Sequence, residues 1–79
     1  MKVNIEYFAK IREERGSSFD TLEVEPMSAK ELYMLLKKKY KFSISFENLK
    51  VAVNEEFSSW DTMINENDTV VFIQPVAGG

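Results

Sequence analysis

The side chains best suited to covalent and metal chemistry are missing from this chain, which contains no cysteine and no histidine. Without cysteine there is no thiolate nucleophile, disulfide, thiolate metal site or iron–sulfur ligation. Without histidine, the usual general base and the commonest metal ligand are gone as well. Carboxylates, lysines, tyrosines and serines remain, but a chain of 79 residues builds one small core and has little room to enclose a pocket of them. Neither a free-standing enzyme nor a metal site is expected. One stretch asks for an explanation, "QPVAGG" at residues 74–79. Glycine fills roughly 7% of positions on average, so two in succession at a terminus arise by chance in about one chain in 200. Small residues also collect at untied ends, and the stretch alone does not decide between an ordinary end and a functional one.

Charge removes further classes. Ten basic and thirteen acidic residues, spread along the chain, leave a formal charge of −3, which disfavours a phosphate-backbone partner and so nucleic acid. The opening "MKVNIEYF" alternates polar and apolar residues rather than forming a signal-peptide core, and no apolar run approaches the length of a membrane span. A soluble, cytoplasmic protein with no membrane partner is expected. Asn67-Asp68-Thr69 matches the glycosylation sequon, but without secretion it reads as a polar turn.

The elements that would position any site follow from periodicity. In "KVNIEY", Val3, Ile5 and Tyr7 alternate with polar residues as in a half-buried strand. Residues 9–15 change period and end at Gly16-Ser17-Ser18, which predicts a short helical turn. "DTLEVE" places Leu22 and Val24 on one side of a second strand that Pro26 closes. The best-specified element is "MSAKELYMLLKKKY". Ser28 with Glu31 forms a capping box, Met27 can staple onto Leu32, and Leu32, Leu35, Leu36 and Tyr40 recur at helical spacing. Lys37, Lys38 and Lys39 in the last turn complement the helix dipole and read as a solvated face. "LKVAVN" alternates as a third strand through Leu49, Val51 and Val53, "EEFSSW" adds a short one, and "NDTVVFIQP" is a turn at Asn67 followed by an apolar strand. Pro75 lacks an amide donor, so pairing should stop there and residues 75–79 should project.

Strands, one long helix and further strands within residues 1–79 predict a single α+β domain, a mixed or antiparallel sheet packed on one side by the helix in the β-grasp manner. Such a sheet has one covered and one open face. Val70 and Phe72 share one side of the last strand, and Val71 and Ile73 share the other, so one pair lies open. Phe8, out of phase with its strand, and Phe57 join Val71 and Ile73 in a predicted partner interface.

With these residues in view, the chain resembles the MoaD-type small subunits of molybdopterin synthase, sulfur carriers of the ubiquitin-like MoaD/ThiS family. "FAKIREERG", "AVN", "NDTVVFIQPV" and "AGG" carry the likeness, which spans nearly the whole chain; Phe8-Ala9 through Arg12-Glu13 and Pro75-Val76 through Gly78-Gly79 are its specific parts. Two positions depart from the family pattern. Glu66-Asn67-Asp68 replaces the Asp-Gly-Asp turn, where asparagine is the next-best residue to glycine for positive φ, and Gln74 stands where a second proline is common.

The resemblance implies a chemistry for the tail. An ATP-dependent activating enzyme would adenylate the Gly79 carboxylate, and a sulfur donor would displace AMP to leave a thiocarboxylate. Pro75, Val76, Ala77 and Gly78 would thread this group into narrow partner pockets, which favours residues without a Cβ at the tip. The sulfur would pass to a pterin precursor inside the large synthase subunit, which would supply the catalytic side chains. No cofactor would be bound by this chain, ATP being used by the activating enzyme. A thiamine-pathway sulfur carrier and a ubiquitin-like modifier of lysines share the fold and the Gly-Gly; Arg12-Glu13 and Pro75-Val76 weigh against the thiamine reading.

Overall fold

The computed structural model describes residues 1–75. Its strands are β1 (Lys2–Glu6), β2 (Phe19–Glu23), β3 (Lys50–Val53), β4 (Glu56–Ser58) and β5 (Thr69–Ile73). Its helices are α1 (Ala9–Arg15) and α2 (Ala29–Tyr40), and a 3-10 turn spans Phe46–Asn48. The strands form one mixed sheet in the order β2-β1-β5-β3-β4. β1 and β5 run parallel at its centre, and the other neighbours are antiparallel. With α2 laid across one face, this is the β-grasp arrangement expected from the sequence.

Period-two alternation sets the covered face. Val3 and Ile5 of β1, Val51 of β3, and Val70 and Phe72 of β5 are all buried and form one core with Leu32, Tyr33 and Leu36 of α2. The helix begins where its capping box predicts: the Glu31 amide donates to Ser28 Oγ at 3.1 Å, and the Ser28 amide donates to Glu31 Oε1 at 3.0 Å. It ends at Lys41, whose left-handed φ of 58° turns the chain toward Phe42. Its buried line differs from the expected one. Leu35 is exposed, Tyr40 is half-buried, and Tyr33 is buried in their place. Tyr33 tolerates burial because its hydroxyl donates to the Ile44 carbonyl at 2.6 Å, so no polar atom is left unpaired. Burial pushes that hydroxyl's pKa up to about 12.

Two devices fix β5. Asn67 takes the positive φ expected of it, 66°, in the turn before the strand. Asn54 opens the β3–β4 hairpin and reaches across to the same place, its Nδ2 donating to Asp68 Oδ1 at 2.8 Å while its Oδ1 accepts the Thr69 amide at 2.9 Å. Asp68 also accepts the Asn65 amide at 2.8 Å, so this nearly buried carboxylate is fully used. The start of β5 is thereby tied to the neighbouring hairpin by side chains as well as by the ladder.

Candidate functional site

The open face of the sheet carries a continuous row of side chains in register. Phe19 pairs with Glu6, Glu6 with Val71, Val71 with Ala52, and Ala52 with Phe57, so the row crosses all five strands. One step toward the end of β5, Ile73 pairs with Lys50. One step toward its start, Asn4 pairs with Thr21 and Thr69. Apolar character is therefore concentrated at the end of the sheet from which the chain leaves toward residue 79. The other end is polar.

Exposure agrees with this division. Phe57 is 74% exposed, Phe8 50% and Phe19 49%, far above ordinary values for phenylalanine in so small a domain. Val71 and Ile73 are half-buried, whereas Val70 and Phe72 are covered by the helix. This settles which pair lies open. Phe8 caps α1 with an extended backbone (φ −131°, ψ 158°). The chain then turns through Ala9 at a φ of 51°, a left-handed conformation costly for a residue with a Cβ. Phe8 lines a shallow depression with Arg12 and Phe19, so it extends the row around the sheet edge. Phe57 sits on β4, the short strand expected from "EEFSSW".

Beneath this rim, α1 is fastened to β2 by charge. Arg15 Nε and Nη2 donate to the two oxygens of Asp20 at 2.7 and 2.9 Å, and the Tyr7 hydroxyl donates to Asp20 Oδ2 at 2.8 Å. The bond from Arg15, with a smaller contribution from Tyr7, holds the Asp20 carboxyl below its usual range. Burial, then the bond to Asp20, raises the Tyr7 phenol well above its usual value. The arrangement is a clamp rather than a proton shuttle: the acid stays ionised and the phenol stays neutral across the physiological range. Among the described residues, no cluster of acidic side chains could hold a metal ion, and no helix is long and apolar enough to cross a membrane.

Pro75 is exposed at the end of the described chain. The tail residues Val76, Ala77, Gly78 and Gly79 lie outside the described residues. What the structure describes is the platform from which they depart.

A model of the ThiS family matches residues 5–79. The chain belongs to the ThiS family. Its members are small ubiquitin-like sulfur carriers of the ThiS/MoaD type. A Pyrococcus furiosus protein assigned as molybdopterin converting factor, subunit 1, is 28% identical, with 96% of this chain and 99% of that one covered and a TM-score of 0.79. The small archaeal modifier protein SAMP1 from Haloferax volcanii superposes with a TM-score of 0.81 over the whole of both chains at 18% identity. A chain in the complex of subunits 1 and 2 of molybdopterin-converting factor from Helicobacter pylori gives 0.69, again over the whole of both chains, at 20% identity. These last two likenesses show the shared β-grasp, ubiquitin-like fold.

Within this ThiS-family fold, four residues of the open face were not singled out from sequence: Phe19, Glu6, Ala52 and Lys50. The signal for the last three was present, since the alternation that buries Ile5, Tyr7, Leu49 and Val51 puts Glu6, Lys50 and Ala52 on the other side. Phe19 lies just before the segment read as β2, and only its pairing with Glu6 places it in the row.

Proposed function

We propose that this chain is the sulfur-carrier subunit of a molybdopterin synthase. The observation that carries the reading is the 28% identity, over nearly the full length of both chains, to the Pyrococcus furiosus protein assigned as molybdopterin converting factor, subunit 1. In this reading an activating enzyme joins the Gly79 carboxylate to the α-phosphate of ATP with loss of pyrophosphate. Sulfide released by the sulfur donor then attacks the acyl carbon and AMP leaves, giving the thiocarboxylate. The thiocarboxylate sulfur then bonds to a carbon of the pterin precursor, displacing an oxygen leaving group, and water attacks the Gly79 acyl carbon of the resulting thioester, cleaving its C–S bond so that the sulfur stays on the pterin and the carboxylate is restored.

The chain's own part is positional. The open-face residues Phe8, Phe57, Val71 and Ile73 dock on the large synthase subunit, and exposed Pro75 stiffens the point where the tail starts. Val76, Ala77 and Gly78 then carry Gly79 into the partner's pocket, where the absence of a Cβ on the last two lets the backbone pass in any conformation. The catalytic side chains belong to the partner, and this chain binds no cofactor. The Helicobacter pylori complex of subunits 1 and 2 supports a partner of this kind. In this reading the work is done in the cytoplasm, where ATP is available to the activating enzyme.

Incubation with the activating enzyme, ATP and a sulfur donor should raise the intact mass by one oxygen-to-sulfur exchange, localised to Gly79 by fragmentation. Deleting Gly79 should abolish both this gain and molybdopterin formation while leaving the circular dichroism spectrum unchanged. Persistent molybdopterin formation by the truncated chain would refute the carrier reading. Sulfur that reaches a thiazole precursor but never a pterin would select the thiamine pathway, in keeping with the name of the family model. Conjugates to lysines without sulfur gain would select the modifier.

A further inference from the structure

A second surface, away from the open-face row, has the makings of a docking site. β2 is an edge strand. The Val24 amide donates to the Met1 carbonyl and the Tyr7 amide to the Ser18 carbonyl, which fixes the even-numbered residues of β2 as those facing β1. By the antiparallel alternation, the amides and carbonyls of Thr21 and Glu23 therefore point away from the sheet, and neither residue's backbone has another partner among the described residues. Phe19 differs, because its amide and carbonyl are taken up by the Ser17 hydroxyl. At the opposite edge, β4 is only three residues long, the usual protection of an edge.

Beside the free part of β2, on the helix side, lies a depression walled by Leu22, Val24, Met27 and Leu35 and rimmed by Glu23 and Glu25. Leu35 is 41% exposed there, although its helix has a buried line that could have taken it. Lys39 stands at the far wall, with its ammonium 5.3 Å from the Tyr40 ring centroid and close enough to Asp20 to help hold that carboxyl ionised.

We propose that this edge binds an extended segment of a partner protein by strand addition, and that the segment alternates apolar with basic residues. Alternation supplies both halves of the requirement. A strand laid beside β2 points every second side chain over Leu22 and Val24 into the depression toward Leu35, and the intervening ones over the face of Thr21 and Glu23 and toward Glu25. The first set must be apolar. The second meets Glu25, which has no ion pair among the described residues, and beside it Glu23, which has the Met1 ammonium at 3.4 Å and Lys2 opposite it across the strand pair.

The same charges argue against a second copy of this chain as the occupant. Antiparallel self-pairing centred on Glu23 sets that carboxylate against itself. Centred on Leu22 it sets Glu25 against Phe19, and centred on Thr21 it sets Glu23 against Phe19. No register gives either carboxylate a cation, and like or unmatched charges across a strand pair disfavour it.

The test uses the full chain and a short blocked peptide of alternating lysine and isoleucine, with its glutamate counterpart and a version interrupted by proline as controls. The lysine peptide should slow hydrogen exchange at the Thr21 and Glu23 amides and shift the methyl resonances of Leu35. Glu25→Lys should weaken binding at least about tenfold, or roughly 1.4 kcal/mol, and Leu35→Ser should weaken it comparably. Both positions are exposed, so the variants should keep the native spectrum. Equal binding of the glutamate or proline peptide, or shifts confined to the Val71–Ile73 face, would overturn the proposal. So would protection of Thr21 and Glu23 that rises with protein concentration in the absence of peptide, since the edge would then pair with its own copy.

Discussion

On β5, neighbouring residues of similar chemistry meet opposite fates. Val70 and Phe72 are sealed under α2, and Phe72 packs edge-on against the Tyr33 ring with centroids 4.9 Å apart and face-on against Trp60 at 6.0 Å. Val71 and Ile73, one step along, look out over the open face beside Phe57 and Lys50. The covered pair is held by its own chain and therefore specifies the fold. The open pair has no such constraint from stability, and apolar residues gathered at one end of an uncovered sheet are what a docking surface requires. One strand thus serves two masters, with the pleat keeping the two demands apart.

The sharpest break in this symmetry is Phe72→Ala. Removing a buried aromatic ring should cost about 3–5 kcal/mol, a large share of the roughly 4–12 kcal/mol expected of a domain this size. Urea denaturation should show a strongly lowered midpoint, with a population already unfolded in buffer if the native stability lies at the low end of that range.

A smaller effect is expected from Asp20→Asn, which leaves both faces of β5 intact and loosens the clamp between α1 and β2. It should cost about 1–2 kcal/mol at neutral pH, since the pair with Arg15 is partly solvated. Because the folded-state pKa of Asp20 is depressed, its contribution is whole above the ordinary carboxylate value of about 3.9 and drains away as pH falls below it. The gap in denaturation midpoint between the native chain and the variant should therefore narrow in acid. A gap of constant width would show that the carboxylate is not the stabilising form.

The smallest effect on stability should come from Ile73→Glu, within about 1 kcal/mol, since the residue is half-exposed and a glutamate there faces Lys50 across the strand pair. Binding is where this variant should fail, because a carboxylate at the centre of an apolar contact is left without water or partner. Loss of fold would place Ile73 with the core. Normal binding to the large synthase subunit would remove the open face from the interface.

Much of this division could be read before the structure. Ser28 and Glu31 announce the start of α2 because capping is a local matter of backbone donors within one turn, and Asn67 announces its turn for an equally local reason. The alternation in "TVVFI" shows two faces but not which is covered, because that depends on where α2 crosses. The exchange of Leu35 for Tyr33 has the same origin: helical spacing accommodates either stripe, and the distant Ile44 carbonyl makes the tyrosine the better core residue. The parallel pairing of β1 with β5 and the row from Phe19 to Phe57 depend on strand order, to which no local pattern is sensitive. The tail was the most legible part of the candidate site as composition, and it lies outside the described residues.

The central pairing of β1 with β5 also governs how the molecule comes into being. β1 finds its parallel neighbour only after the whole stretch between Glu6 and Thr69 has been made, so the sheet cannot close around its core before then. Contacts this distant in sequence slow folding, because chain entropy is lost before they form. A chain interrupted before Thr69 would leave Val3 and Ile5 without the strand that covers their edge, exposed to proteases and to aggregation. Folding therefore acts as a proofreading step: a molecule that resists digestion has already been synthesised through the strand that leads to its tail.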